Sequence, residues 1–185
     1  MTSIITKPVV TFFGIGYSPV CPGTIASVAT LPLWILIIFM VNYFNVKIPA
    51  ISITLIISGI YMVGYSYTRK YITENNLDDP SEVVIDEVVG QLLSFFISLF
   101  FIYFIRGIDL QAIVANNKIL FCLLLMILPI VLFRLFDITK PWIIGEIDSN
   151  MKNTYGIMLD DIFAGIFAGV INIILTVSIV KFFLL

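Results

Sequence analysis

The sequence predicts an all-α, polytopic helical membrane protein: about five membrane-embedded helices, with a polar site at one interface, forming a single domain over residues 1–185. Three observations predict it. The chain is 60% apolar and only 12% charged, against about 25% charged in soluble domains, so it could not cover a water-facing surface. Five apolar stretches, 25–44, 50–67, 88–105, 119–135 and 162–184, lie near the ~17–25 residues that a spanning helix needs. If the chain alternates sides after each stretch, 11 of its 12 carboxylates fall on one face, and only Asp109 falls on the other. An even number of spans would divide them.

The first stretch carries Pro32 in its early turns, and Thr24 just before it suits a helix cap. The third, VVGQLLSFFISLFFIYFI, is uncharged throughout and is the clearest span. The fourth is short and contains Pro129, which predicts a kink or an oblique path. The N-terminal MTSIITKPVV lacks the basic, apolar, small-residue order of a signal peptide, so no segment is set aside from the fold. A net charge of −2 without any basic run gives no reason to expect nucleic acid. Basic residues divide six to four in favour of the acidic side (Lys7, Arg69, Lys70, Arg134, Lys140 and Lys152 against Lys47, Arg106, Lys118 and Lys181), which favours that side as cytoplasmic.

Four polar clusters sit at helix ends on the acidic side. In Gly14-Ile-Gly16-Tyr-Ser18-Pro19-Val-Cys-Pro22-Gly23-Thr24, glycines and prolines lead into a helix start. Such a turn offers backbone N–H groups and a positive dipole end to a phosphate, or serves simply as a capped turn at the membrane surface. Asp86-Glu87 opens the third helix and Asp160-Asp161 opens the fifth, each followed by two apolar residues and then a small one. One acid suffices to complement a helix dipole. Adjacent acids at the hydrocarbon edge repel unless a cation bridges them, and two such pairs would supply the hard oxygen ligands that Mg²⁺ prefers. Solvated caps are the alternative. The small residues would let these helix ends approach closely.

The remaining cluster, Arg134-Leu-Phe-Asp137-Ile-Thr-Lys140-Pro141-Trp142, spaces its three charges at i and i+3, so one helical face could hold all of them. Arg and Lys are the usual clamps on a transferring phosphoryl group, although snorkelling cations and an interfacial Trp also fit.

Carboxylates that bind Mg²⁺ beside cations are suited to phosphoryl chemistry. The chain has no histidine, which excludes phosphatases that use a His nucleophile or acid. A cysteine phosphatase needs Arg six residues after its Cys, and after Cys21 that position is Ser27. Asp137 is followed by Ile-Thr, so the Asp-x-Asp nucleophile motif is missing. Metal-assisted attack by water, or attack by a carboxylate, remains.

FGIGYSPVCPGTIASVATLPLW, IDEVVGQ, FRLFDITKPW and YGIMLDDIFAGIFAG, in this order and spacing, resemble the bacterial phosphatidylglycerophosphatase A family over about residues 12–175. The resemblance implies a multi-pass, Mg²⁺-dependent lipid phosphatase of the bacterial inner membrane that converts phosphatidylglycerophosphate to phosphatidylglycerol. By position it implicates Pro22, Gly23, Thr24, Ser27, Asp86, Glu87, Arg134, Asp137, Lys140, Pro141, Gly156, Asp160 and Asp161, together with Asp148. Asp86, Glu87, Asp160 and Asp161 are then expected to bind Mg²⁺. Arg134, Lys140 and the 22–24 turn would hold the phosphate, with hydroxyls from Thr24 and Ser27, and Asp137 would be a ligand, nucleophile or base.

A cation channel or transporter lined by the acids is the main alternative. Intramembrane acids in such proteins usually sit near the midplane, whereas these lie at helix ends. Another lipid-headgroup phosphotransferase, of the CDP-alcohol type, would show an Asp-Gly-x-x-Ala-Arg signature, which is absent.

Overall fold

The computed structural model describes residues 5–78, 80–104 and 117–184, and the side chains of all of these except 101–104 and 183–184. Asp79, Arg106 and Asp109, which entered the counting of sides, lie outside the described residues. Every regular element described is helical: α1 (Thr6–Val10), a 3₁₀ turn (Ile15–Tyr17), α2 (Pro22–Tyr43), α3 (Pro49–Asn75), α4 (Ile85–Phe104), α5 (Lys118–Thr139), α6 (Ile143–Asn150) and α7 (Thr154–Leu184). Among the described residues, four helices are long and apolar enough to cross a membrane: Pro22–Tyr43, Pro49–Asn75, Lys118–Thr139 and Thr154–Phe182. The third apolar stretch, which begins at residue 88, lies in α4, the hub of the bundle, on which α2, α3, α5 and α7 all pack.

The helices outrun the apolar stretches at their polar ends. At 1.5 Å per residue the 27 residues of α3 and the 31 of α7 extend about 40 and 46 Å, beyond a hydrocarbon core of about 30 Å. Hydropathy marks only the part that sits in lipid, while the backbone hydrogen-bond ladder continues into the headgroup zone. The structure therefore corrects two expected helix starts. The first spanning helix begins at Pro22 rather than behind a Thr24 cap, because Pro at the first helical position has its φ preset and no N–H to orphan. The last begins at Thr154, where the Asn153 side chain accepts from the Gly156 N–H at 2.9 Å.

Pro129 follows a π-helical turn. It lacks an N–H and crowds the preceding turn, and the five residues before Leu128, Leu123–Ile127, form a π-helical turn that absorbs the mismatch. Short α6 lies between α5 and α7, burying Ile144 and Ile147, while Trp142 is 74% exposed, as interfacial aromatics are.

The most extensive pairing joins α4 to α7. A Cβ on Gly90 would stand 2.5 Å from the Asp161 carbonyl oxygen, one on Gly165 would overlap the Gly90 carbonyl, and one on Gly169 would stand 2.7 Å from Ile97 Cβ. Residue numbers rise together along this seam, so the two helices run parallel and their acid pairs share one end. Close approach through small residues is how helices gain packing where lipid offers no hydrophobic drive.

Candidate active site

Each acid pair is wired alike. Asp86 Oδ1 accepts from the Glu87 N–H at 3.0 Å, and Asp160 Oδ1 accepts from the Asp161 N–H at 3.0 Å. Asp86, Asp160 and Asp161 are buried, at 6, 6 and 4% exposure. Their positions in the helices differ. Asp86 and Glu87 lie in the first turn of α4, where the orphan N–H groups and the dipole favour anions. Asp160 and Asp161 lie in the second turn of α7, where that favour has faded.

The cations come from the end of α5. Arg134 Nη1 lies 2.6 Å from Asp137 Oδ2, one helical turn on, and 3.6 Å from Glu87 Oε1. Asp137 is thereby tolerated in the last turn of α5, where the dipole alone would disfavour it. Lys140 adopts a left-handed conformation (φ 42°) that ends the helix. Its Nζ donates to Asp148 Oδ1 of α6 at 2.5 Å and to Asp160 Oδ2 of α7 at 2.9 Å. Burial by itself disfavours the charged ammonium, but the hydrogen bonds to Asp148 and Asp160 outweigh it and raise the Lys140 pKa above its ordinary value.

These groups surround one cavity of about 120 Å³, lined by Asp78, Asp86, Glu87, Asp137, Asp148, Asp160, Asp161, Lys140 and Lys152, with Met151, Gly156 and Ile157. That is far more than the roughly 10–15 Å³ one water needs, and it leaves room for a phosphate group.

The structure thus brings Asp86, Glu87, Asp137, Lys140, Asp160 and Asp161 into one wall, with Arg134 joined to it through Glu87 and Asp137. Gly23 reaches the same place by close approach: a Cβ there would overlap Glu87 Oε1 and stand 2.9 Å from Arg134 Nη1. Pro22 and Thr24 lie in the first turn of α2 and do not line the cavity. Ser27 is fully buried, and its hydroxyl donates to the Gly23 carbonyl at 2.9 Å, inside its own helix. Pro141 follows Lys140 at the turn into α6. Asp148 and Gly156, implicated only by the family resemblance, do line the cavity; a Cβ on Gly156 would overlap the Met151 carbonyl. Asp78 and Lys152 were not anticipated, since both lie in connections whose path only the packed helices fix.

The donor set suits a divalent cation of the Mg²⁺ type. All the candidate ligands are hard carboxylate oxygens, and Asp161 Oδ1 is buried with no hydrogen-bond partner. Among the described residues no three carboxylates converge tightly enough to cage a metal by themselves. Mg²⁺ rarely asks for such a cage: it is usually held by one or two carboxylates and completed by waters and substrate phosphate.

Comparison with known proteins identifies the family. The family model described as phosphatidylglycerophosphatase A matches residues 8–176. The chain is 28% identical over 163 residues to phosphatidylglycerophosphatase A of Escherichia coli, covering 88% of this chain and 78% of that protein. To the phosphatidylglycerophosphatase A of Haemophilus influenzae it is 29% identical over 159 residues, covering 86% and 81%. A provisionally named phosphatidylinositol-3-phosphatase of Bacteroides thetaiotaomicron is 28% identical over 160 residues, 85% of each chain. No solved structure matches. With the family model spanning nearly the whole sequence, the protein belongs to the phosphatidylglycerophosphatase A family and is a membrane-embedded enzyme of the phosphatase class.

Proposed function

We propose that the protein hydrolyses the terminal phosphomonoester of phosphatidylglycerophosphate, giving phosphatidylglycerol and phosphate, at the cytoplasmic face of the bacterial inner membrane and with Mg²⁺ bound. One observation carries the reading: paired acids from α4 and α7 face one cavity together with Lys140 from the end of α5, while Arg134 backs its wall through Glu87 and Asp137. The names of the Escherichia coli and Haemophilus influenzae relatives support the choice of substrate. The six-to-four division of basic residues supports the choice of face.

In this reading Asp86, Glu87, Asp160 and Asp161 hold the metal, which would neutralise charge on the phosphoryl oxygens and lower the pKa of bound water. Arg134 and Lys140 stand ready to take the non-bridging oxygens, exchanging carboxylate partners for phosphate. Asp137, paired with Arg134 at 2.6 Å, accepts the proton of the attacking water as its oxygen bonds to phosphorus. The bond from phosphorus to the glycerol oxygen breaks, and that oxygen takes the proton from Asp137 and leaves as phosphatidylglycerol, which returns Asp137 to its starting state. The acyl chains stay among the helices, so only the headgroup has to enter the polar cavity.

Phosphate release from purified protein, with and without Mg²⁺, tests the proposal. The panel is phosphatidylglycerophosphate, phosphatidic acid and phosphatidylinositol 3-phosphate. Mg²⁺-dependent release, fastest from phosphatidylglycerophosphate and abolished in Asp86→Ala and Asp161→Ala, is expected. Full activity in both variants would sink the metal assignment. Cation flux through liposomes without any phosphate release would sink the enzyme reading in favour of a transporter.

A further inference from the structure

Arg134 and Lys140, the cations deepest in the site, are both committed to carboxylates: Arg134 to Glu87 and Asp137, Lys140 to Asp148 and Asp160. Lys152 differs. It lines the same cavity, is exposed, and forms no ion pair among the described residues. Its backbone belongs to the short connection between α6 and α7, which is pinned on both sides. The Met151 N–H donates to the Ile147 carbonyl at 2.9 Å, and the Asn153 N–H donates to the Met151 carbonyl at 2.8 Å. The Asn153 side chain caps α7 through Gly156, itself packed against the Met151 carbonyl. A fixed backbone thus presents an uncommitted ammonium at the rim.

The cavity is graded in depth. Asp86 and Asp161 are almost wholly buried, whereas Lys152 and Asp78 are exposed. A phosphomonoester that reaches the buried acids must leave the rest of its headgroup at the exposed end. Every other charged group of the lining except Lys140 is a carboxylate, which would repel a second phosphate there. A cation at the rim removes that repulsion.

We infer that Lys152 is a specificity-determining residue: it holds the second phosphate, the phosphodiester that is not cleaved, of a lipid whose headgroup carries two. This rests on the proposed lipid phosphatase function and narrows its substrate class to lipids with a diester phosphate next to the scissile monoester. Phosphatidic acid, with a single phosphate, gains nothing from Lys152.

The test measures both KM and equilibrium affinity in mixed micelles for the full-length, Mg²⁺-loaded enzyme. Wild type, Lys152→Ala and Lys152→Arg are compared on phosphatidylglycerophosphate and phosphatidic acid. Lys152→Ala is expected to weaken KM and affinity for the diphosphate lipid roughly tenfold, the loss of one charge-assisted contact, and to lower the preference over phosphatidic acid by the same factor. Lys152→Arg restores the preference. Equal loss on both lipids would make Lys152 a general attractor of anions, and no loss on either would leave it a solvated surface lysine; each result overturns the inference. Wild type that binds with this Lys152-dependent preference but releases no phosphate would overturn the phosphatase proposal while leaving the diphosphate-lipid contact standing.

Discussion

The pairs Asp86–Glu87 and Asp160–Asp161 share a sequence form and a local hydrogen bond, yet they sit in physically different places. The first occupies the opening turn of α4, where unpaired N–H groups welcome carboxylates. Glu87 there also meets Arg134. The second lies a turn deeper in α7, with Asp160 answered by a partly exposed lysine and Asp161 Oδ1 buried without a hydrogen-bond partner. Helix electrostatics and Arg134 support the first pair, whereas in the second Lys140 answers Asp160 and Asp161 Oδ1 has no hydrogen-bond partner. A buried, unsatisfied carboxylate costs stability, and it persists where function needs an open ligand position. In the proposed metal site, Asp161 is therefore the acid whose replacement should tell function from stability.

Breaking the better-compensated side should have the largest structural effect. Arg134→Met leaves Glu87 and Asp137 without their cation in a site where all three side chains are under 20% exposed. A loss of about 3–5 kcal/mol is expected for such a buried pair, read as a collapse of the thermal melt in detergent. A melt within a few degrees of wild type would mean that the Arg134 contacts are not the structural clamp described here.

Asp161→Asn should separate function from stability. Phosphatase activity should fall about 10²- to 10³-fold, while the Mg²⁺-free melting temperature should hold or rise, since a buried carboxylate with no hydrogen-bond partner on Oδ1 is replaced by a neutral amide. Asp86→Asn should lose activity without that gain. A lower Mg²⁺-free melt for Asp161→Asn would break the contrast between the pairs.

Gly165→Ala tests the seam that brings the pairs together. Its new Cβ would overlap the Gly90 carbonyl, for an expected cost of about 1–3 kcal/mol. Gly59→Ala on α3 meets nothing within 4 Å and should be neutral or stabilising by about 0.5–1 kcal/mol. Equal melts for the two variants would remove the argument for tight α4–α7 packing. Lys140→Met should cost less than Arg134→Met: Lys140 and Asp148 are 31% and 38% exposed, so mainly the contact to buried Asp160 counts, for about 1–3 kcal/mol, and a loss as large as that of Arg134→Met would erase the distinction between the two clamps.

Much of this arrangement is legible in the chain. Apolar stretches and the one-sided distribution of acids give the helices and their alternation, because lipid tolerates only backbones that satisfy themselves. The resemblance of IDEVVGQ and YGIMLDDIFAG to a known family points to the acids that line the cavity. Other features resist such reading. Thr154 as the start of α7 was invisible to hydropathy, which registers lipid contact and not backbone hydrogen bonding. Ser27 looked like a ligand for phosphate, yet a buried serine in a helix readily satisfies itself on the carbonyl four residues back, as Ser27 does.

The sequence by itself determined an all-helical membrane protein with paired acids gathered at one end, because burial in lipid and the cost of charge act on each segment separately. Only the tertiary structure decided which cation meets which acid. Lys140 reaches Asp148 and Asp160, 8 and 20 residues away, through the left-handed turn that ends α5 and the path of α6, and Gly90 and Gly165 set how closely α4 and α7 approach. Those are relations between helices. They depend on shape at the contact surfaces, which no periodicity or charge count along one segment contains.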